Sequence, residues 1–174
     1  HCPADVASIL SKESPASMMP MVMLATGGWK RWSDLTDIVR HGKDMIKGTA
    51  FDINESEQEA FSGAMHVIAY RMAPGIVAAI KPGNARKLLD IGGGSGAYTQ
   101  AFLEASPGLT ATIFDLPAAI NRARQRLVAT GLLDRITLAA GDFYKDELPT
   151  GHDLALLSAI IHQNNSKQNR ALFR

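Results

Sequence analysis

Short apolar runs alternate with amphipathic segments over the second half of the chain, a pattern typical of alternating strands and helices. Helical character occurs in Ala97–Ala105 and again from Pro117, a residue type that suits a first helical position. The pattern therefore predicts an α/β fold built on a parallel, doubly wound sheet. Four runs have the length and branched apolar content of its buried strands: Lys87–Ile91, Leu109–Phe114, Ile136–Ala140 and Asp153–Ala159.

The first third of the chain follows a different pattern. Residues 1–54 are punctuated by methionine and proline, and they predict a helix that runs through Val39 and ends at Gly42. Helical spacing resumes near residue 54, and Pro74 and Gly75 predict an interruption of that second helix. These shifts predict two regions, 1–54 and 55–174.

A glycine-rich loop joins the first predicted strand to the helix that follows it. Glycines at Gly92, Gly94 and Gly96 allow the backbone to turn sharply and leave no Cβ between the main chain and a ligand. Ligands of open α/β sheets lie just outside the carboxyl ends of the strands. The loop therefore predicts a nucleotide-like cofactor without identifying it.

Three carboxylates and one aromatic ring narrow the choice of cofactor. Asp115 lies at the tip of the second strand, where an acid typically holds the ribose of NAD or of S-adenosylmethionine. Asp142 and Phe143 follow the third strand, where a carboxylate can accept from the adenine amine and a ring can cover the base. Asp90 adds a negative charge just before the glycines. Such a cluster favours a cationic sulfonium over a pyrophosphate.

Four motifs occur in a fixed order: Leu89–Gly96, Phe114–Pro117, Gly141–Tyr144 and Ile160–His162. Together they resemble the S-adenosylmethionine-dependent O-methyltransferases, above all the metal-independent branch that methylates small aromatic hydroxyls. That branch includes the caffeic acid, hydroxyindole and polyketide O-methyltransferases. The resemblance implies a Rossmann-like class I methyltransferase sheet, incomplete in this chain, within residues 55–174. It also implies that residues 1–54 are the C-terminal part of an α-helical dimerisation domain.

The resemblance assigns a catalytic role to His162, which lies just past the fourth predicted strand. It implies that this imidazole removes the proton of the substrate hydroxyl, while the alternative is a polar residue that caps a strand end. The family continues after its histidine with Asp and Trp, whereas this chain has Gln163-Asn164-Asn165-Ser166. The glutamate that orients the histidine in the family would lie beyond Arg174.

The resemblance implies further contacts. Leu116 and Ser158 are expected to bind the cofactor, although packing in a sheet explains Ser158 equally well. Met65 and His66 lie on a predicted helix that lines the substrate pocket in the family, and we expect them to contact the substrate. A helix-surface position is the alternative for His66.

Composition limits the partners that we expect. The chain has 174 residues, 46% of them hydrophobic, and a formal net charge of +1 with no basic stripe, which argues against nucleic acid. No apolar run is expected to span a bilayer, and the single cysteine, Cys2, suits a reducing cytoplasm. No metal is implied, because no His or acid pair has ligand spacing with support from a third residue. We therefore expect a cytoplasmic protein, and the family resemblance implies that it is a homodimer.

The sequence thus predicts an enzyme that transfers a methyl group from S-adenosylmethionine to a hydroxyl of a small aromatic metabolite. Three alternatives remain open. The same cofactor site could serve another chemistry, or the protein could bind the cofactor product without turnover in a regulatory role. The spacing Gly92-x-Gly94-x-x-Ala97 also formally fits an NAD-dependent oxidoreductase, against which Asp90 and Asp142 argue.

Overall fold

A computed structural model of the protein describes residues 2–14, 16–42 and 55–173. The chain divides into two compact units, His1–Val67 and Ile68–Arg174. The predicted boundary between residues 54 and 55 adjoins segment 43–54, which lies outside the described residues, and it stays a prediction. The predicted restart of helical structure at Asn54 also lies outside them.

The first unit contains helices α1 (Ala4–Leu10), α2 (Met19–Ser33), α3 (Leu35–His41) and the start of α4 (Glu55–Ile80). The segment that was expected to form one helix through Val39 is divided at Asp34 between α2 and α3. Gly42 ends α3 as predicted, with a φ of 81° and an N–H that donates to the Ile38 carbonyl. A glycine suits this position because it adopts positive φ without steric cost.

Helix α4 runs from Glu55 to Ile80 without a break, so the predicted interruption at Pro74 and Gly75 is wrong. Pro74 removes one helical hydrogen bond and crowds the preceding turn, at a cost of about 3 kcal/mol. Ala73 and Val77 lie four residues apart on one face of the helix, and both are buried. Burial of this face on both sides of Pro74 offsets the cost and keeps the helix continuous.

Helix α4 is also long and apolar enough to cross a membrane, with a mean hydropathy of 1.3 over an 18-residue window. The expectation that no apolar run reaches this length is therefore wrong. Core helices of water-soluble proteins can have the same length and apolar composition. These two properties are therefore weak evidence that α4 spans a membrane. That the protein has no membrane partner stays a prediction.

The second unit is built on a four-stranded parallel sheet whose strand order is β3-β2-β1-β4. This order reverses direction at β1, as in a Rossmann-like fold, so the predicted fold class is confirmed. The carboxyl ends of β1 and β4 consequently flank a crevice where such folds bind ligands. The strands are β1 (Lys87–Ile91), β2 (Thr110–Asp115), β3 (Ile136–Ala140) and β4 (Leu154–Leu156), and the connecting helices are α5 (Ala97–Ala105) and α6 (Pro117–Leu127), with α7 (Ser166–Leu172) at the end.

Strand β4 has three residues, whereas Asp153–Ala159 was predicted. At its start, the carboxylate of Asp153 accepts the backbone N–H groups of Arg86 and Lys87 at 2.9 and 2.8 Å. At its end, Ala159 adopts a φ of 56° in the left-handed region, which is incompatible with a continued strand. Leu157 and Ser158 therefore lie beyond the strand rather than in it.

The two faces of the sheet bury different clusters. On one face, Leu88 and Ala111 pack with Phe102 of α5, and Ile113 packs with Leu127 of α6. On the other face, the buried cluster consists of Leu89, Ile91 and Phe114, with Phe143, Leu148 and Leu157 packed against it. Each fully buried side chain of this size contributes about 1.5–3 kcal/mol. The carboxyl end of β1 is thereby held rigidly between helices and loops.

Candidate functional site

The glycine loop after β1 is tied to β2 and to its own turn. The N–H of Gly92 donates to the Phe114 carbonyl at 2.8 Å, and the N–H of Gly96 donates to the Gly93 carbonyl at 2.9 Å. Gly92, Gly94 and Gly96 all have positive φ values, of 67°, 54° and 77°. Non-glycine residues rarely adopt these conformations, so the loop depends on glycine at all three positions.

The sequence led us to expect that every glycine of this loop lets a ligand come close. The space around the glycines differs from one to the next. A Cβ on Gly92 would collide with the side chain of Ile160, and one on Gly96 would lie 2.9 Å from Leu127 Cδ1. A Cβ on Gly93 would lie 2.8 Å from the Asp90 carboxyl carbon. At Gly94 only the carbonyl oxygen of Gly92, 4.0 Å away, is near. Gly94 is therefore the loop glycine whose Cβ direction is open.

Asp115 ends β2 beside this open position. Its two carboxylate oxygens accept the N–H of Gly94 at 2.8 Å and the N–H of Leu116 at 2.7 Å. Burial raises the pKa of Asp115 above its usual value, while these two hydrogen bonds and the nearby Arg122 act in the opposite direction. A carboxylate has about four acceptor positions, so Asp115 can hold the loop and still accept from ligand hydroxyls.

Asp90 lies beneath the loop rather than in the crevice. Its side chain is 1% exposed and accepts a hydrogen bond from Thr99 Oγ1 of α5 at 2.7 Å. Burial raises the pKa of Asp90 to about 6, with a further contribution from the negative charge of Asp115. Asp90 therefore ties β1 to the first turn of α5, and its predicted contact with a cofactor stays a prediction.

Asp142 and Phe143 follow β3 at the same edge of the sheet. The carboxylate of Asp142 accepts the Tyr144 N–H at 2.9 Å and pairs with Lys145 Nζ at 2.8 Å. The hydrogen bond from Lys145 holds the pKa of Asp142 below its usual value. Phe143 packs beside Gly92, 3.6 Å from the position of its missing Cβ, and against the ring of Tyr144 at a centroid distance of 4.5 Å. The structure thus brings Phe143 to the glycine loop.

A short turn after β4 carries Ser158, Ile160 and His162. Ile160 is buried against Gly92, and the 3₁₀ turn Ile161–Gln163 then presents an exposed His162. Ser158 is half-buried in the stretch between β4 and this turn. Within the part of the chain that the structure describes, no hydrogen-bond partner orients the His162 imidazole. The position of His162 therefore depends on the backbone of its turn.

Three polar side chains at this turn are linked by hydrogen bonds that the sequence did not predict. The Tyr144 hydroxyl donates to Asn164 Oδ1, and Asn164 Nδ2 donates to Asn169 Oδ1 at 2.9 Å. Asn169 Nδ2 then donates to the Ile161 carbonyl at 3.0 Å. The departure from the family pattern after His162 was the single sequence signal at this place, and it did not indicate Tyr144 as a partner.

The remaining predicted residues lie elsewhere or are untested. Leu116 is exposed next to Asp115. Met65 and His66 lie on α4 within the first unit, and their contacts with a substrate stay predictions. Among residues 2–14, 16–42 and 55–173, no three His, Cys, Asp or Glu side chains gather as metal ligands. That no metal takes part stays a prediction.

Comparison with known proteins gives consistent results. The chain is 33% identical over 156 residues to the mitomycin biosynthesis 6-O-methyltransferase of Streptomyces lavendulae, covering 86% of this chain and 44% of that protein. It is 42% identical over 76 residues to the aclacinomycin 10-hydroxylase RdmB of Streptomyces purpurascens, covering 44% of this chain and 20% of that protein. The structure of human N-acetylserotonin methyltransferase in complex with SAM matches with a TM-score of 0.79 and 25% identity, over 97% of this chain and 51% of that one.

The chain spans about half, or less, of the length of these relatives. The family model of the O-methyltransferase domain matches residues 32–174, which include the glycine loop, Asp115, Asp142 and His162. The chain therefore belongs to the O-methyltransferase domain family.

Proposed function

We propose that the protein transfers a methyl group from S-adenosylmethionine to a hydroxyl of a small aromatic metabolite. The observation that carries this proposal is the hydrogen bond between Asp115 and the Gly94 N–H, at the crevice beside β1. It places a carboxylate with spare acceptor capacity next to the open position of the glycine loop. Membership of the family supports the same function.

The residues around the crevice fit an adenosine cofactor. Gly92, Gly94 and Gly96 shape the loop, Asp115 would hold the ribose hydroxyls, and Asp142 with Phe143 would hold the adenine. Leu116 and Ser158 are proposed as further contacts. The local charges oppose a pyrophosphate less than the sequence suggested, because Asp90 is buried and Asp142 is paired with Lys145. Family membership, rather than the number of charges, now favours S-adenosylmethionine over NAD.

His162 is proposed as the base. When bound, S-adenosylmethionine would supply an electrophilic methyl group on a sulfonium, with a neutral thioether as the leaving group. The chain itself has to align the substrate hydroxyl and accept its proton on an imidazole nitrogen. The packing of Ile160 on Gly92 supports this role, because it fixes the His162 turn to the loop that would hold the cofactor.

The direct test of this proposal is transfer of tritium from methyl-labelled S-adenosylmethionine to a panel of phenols, catechols and hydroxyindoles. We expect the wild-type protein to label at least one acceptor. His162→Gln should lower kcat by about 10²–10⁴-fold with little change in the KM for S-adenosylmethionine. His41→Gln, at the exposed end of α3, is the matched control and should be unchanged. Full activity of His162→Gln would contradict the role of this residue.

A second candidate is another chemistry in the same cofactor site, or binding of the cofactor product without turnover. The similarity to a protein named as a hydroxylase and the absence of an orienting partner for His162 among the described residues favour it. Tight binding of S-adenosylhomocysteine without labelling of any acceptor in the panel would support this candidate.

We also propose a cytoplasmic homodimer. Support comes from Trp29 and Trp32, which are 76% and 73% exposed on α2 and would be covered by a second copy of the helical region. A solution mass equal to that of one chain, measured by light scattering, would contradict the dimer.

A further inference from the structure

We infer that Asn164 is a positioning residue for His162, acting through the hydrogen-bonded chain Tyr144–Asn164–Asn169–Ile161. This inference rests on the proposed function, in which His162 accepts the proton of the substrate hydroxyl. It assigns a role to the segment after His162, where the sequence departs from the family pattern.

The chain of hydrogen bonds joins two loops that are distant in sequence. Tyr144 belongs to the loop after β3, directly next to the Asp142 and Phe143 that would hold the adenine. Asn164 ends the His162 turn, and Asn169 lies on α7. The hydrogen bonds therefore connect the proposed adenine side of the crevice with the turn that carries the proposed base.

The donors and acceptors of these three hydrogen bonds form one consistent series. The Tyr144 hydroxyl donates to Asn164, Asn164 donates to Asn169, and Asn169 donates to the Ile161 carbonyl. A side-chain amide offers both an acceptor and a donor, whereas an aspartate carboxylate only accepts. Aspartate at position 164 would therefore place its carboxylate against the acceptor oxygen of Asn169 and break the series.

These side-chain hydrogen bonds tie the His162 turn to the loop after β3, whereas its other anchors lie before it, at Ala159 and Ile160, and after it, in the capping box that Asn165 and Gln168 form at the start of α7. Ala159 is in the left-handed region, and the side chain of Ile160 packs on Gly92, which fixes the entry to the turn. The hydrogen bonds of Asn169 to the Ile161 carbonyl and of Asn164 to Asn169 hold the first residue of the turn and the residue that follows it. Each neutral hydrogen bond of this kind contributes about 0.5–1.5 kcal/mol. Losing one would lower the equilibrium constant between the ordered and the disordered turn by up to about tenfold.

The test compares Tyr144→Phe, Asn164→Ala and Asn164→Asp with the wild-type protein. Tyr144→Phe removes one exposed hydroxyl and keeps the ring against Phe143, so it preserves the fold even where a change at Asn164 does not. Lys167→Ala, an exposed position on α7, is the control. The primary readout is the backbone ¹⁵N order parameter of residues 161–163 measured by NMR, which needs neither cofactor nor substrate.

We expect order parameters of about 0.85 in the wild type and in Lys167→Ala, and values below about 0.6 in the three network variants. Unchanged order in Tyr144→Phe and Asn164→Ala would overturn the inference, as would an equal loss in Lys167→Ala. A second readout uses the acceptor labelled in the tritium assay, where kcat should fall about tenfold in Tyr144→Phe with the KM for S-adenosylmethionine unchanged. A variant that loosens the turn but keeps full kcat would also overturn it.

Calorimetric titration of S-adenosylhomocysteine into the same samples separates the two proposals. If the wild type does not bind it, the proposed function fails, while the order parameters still decide whether Asn164 positions the turn.

Discussion

Asp90 is a carboxyl group that folding removes almost completely from water, directly beneath the glycine loop. Its hydrogen bond from Thr99 satisfies one oxygen but does not offset the cost of burying the charge, so its pKa rises to about 6. The folded protein therefore binds this proton more tightly than the unfolded chain, whose aspartate titrates near 3.8. Asp90 consequently costs stability as the pH rises from about 4 to above about 6.

Asp90→Asn removes this charge and keeps an acceptor for Thr99 Oγ1. The raised pKa corresponds to about 3 kcal/mol, so the variant should gain up to that amount over the wild type between about pH 4 and pH 7. Urea unfolding across this pH range measures the difference in free energy of unfolding. A difference that does not change with pH would contradict the assignment.

Gly96 and Gly131 provide a matched pair that separates backbone strain from steric collision. Both have positive φ, of 77° and 69°, but a Cβ on Gly96 would meet Leu127 and Ile113, whereas nothing lies within 4 Å of one on Gly131. Gly131→Ala should cost about 1–2 kcal/mol from the left-handed backbone alone. Gly96→Ala should cost about 1–3 kcal/mol more. Equal shifts in the urea midpoint of the two variants would contradict this packing.

At the scale of elements, Arg135 connects the end of α5 to the start of β2. Its guanidinium donates to the carbonyls of Leu103, Ser106 and Leu109, at distances of 2.6–3.1 Å. The first two carbonyls come from the end and the C-cap of α5, and the third directly precedes β2. A single cation thus satisfies acceptors that helix and strand termini would otherwise leave open.

Arg135→Met removes this connection and keeps much of the aliphatic length of the side chain. We expect the free energy of unfolding to fall by about 2 kcal/mol, because the three carbonyls lose their hydrogen bonds from a charged group and methionine provides no donor in its place. Arg124→Met, on the exposed side of α6, is the control and should change stability by less than about 0.5 kcal/mol. A loss for Arg135→Met no larger than that of the control would show that the three carbonyls are satisfied without it.

The bounds of strands and helices could be predicted from the sequence where burial of apolar side chains determines them. They could not be predicted where the backbone conformation of one residue determines them. Three of the four strands lie within one residue of their predicted bounds, because their apolar runs coincide with the core. Strand β4 was predicted too long because Leu157–Ala159 continues the apolar pattern, and the left-handed Ala159 leaves no trace in that pattern. The break at Pro74 was expected from its missing N–H, and burial on both sides of it overrides that rule.

The same distinction holds for the candidate site. The positions of Asp115 and the glycines follow from strand ends and could be predicted. Strand alternation alone puts Asp90 on the same face as Leu88, toward α5, so its burial was also predictable in principle. The pairing of Tyr144 with Asn164 joins positions 20 residues apart in two irregular loops, and no local pattern encodes it.

In the molecule as a whole, the reversal of strand order at β1 positions the proposed site. Because β2 and β4 lie on opposite sides of β1, the loop with Gly94, the end of β2 with Asp115 and the turn with His162 all meet at one edge of the sheet. Family membership favours S-adenosylmethionine as the cofactor, and we propose that it binds in this crevice. We therefore propose that S-adenosylmethionine, or its product, binds there through Asp115.

Calorimetric titration of S-adenosylhomocysteine tests this claim most directly, with NAD as the alternative ligand and Asp134→Ala, an exposed aspartate, as the matched control. We predict a Kd on the order of micromolar for the wild type and the control, no heat from NAD, and a Kd about 10–100-fold higher for Asp115→Ala. No binding by a well-folded wild-type protein, or unchanged binding by Asp115→Ala, would show that Asp115 does not hold this cofactor.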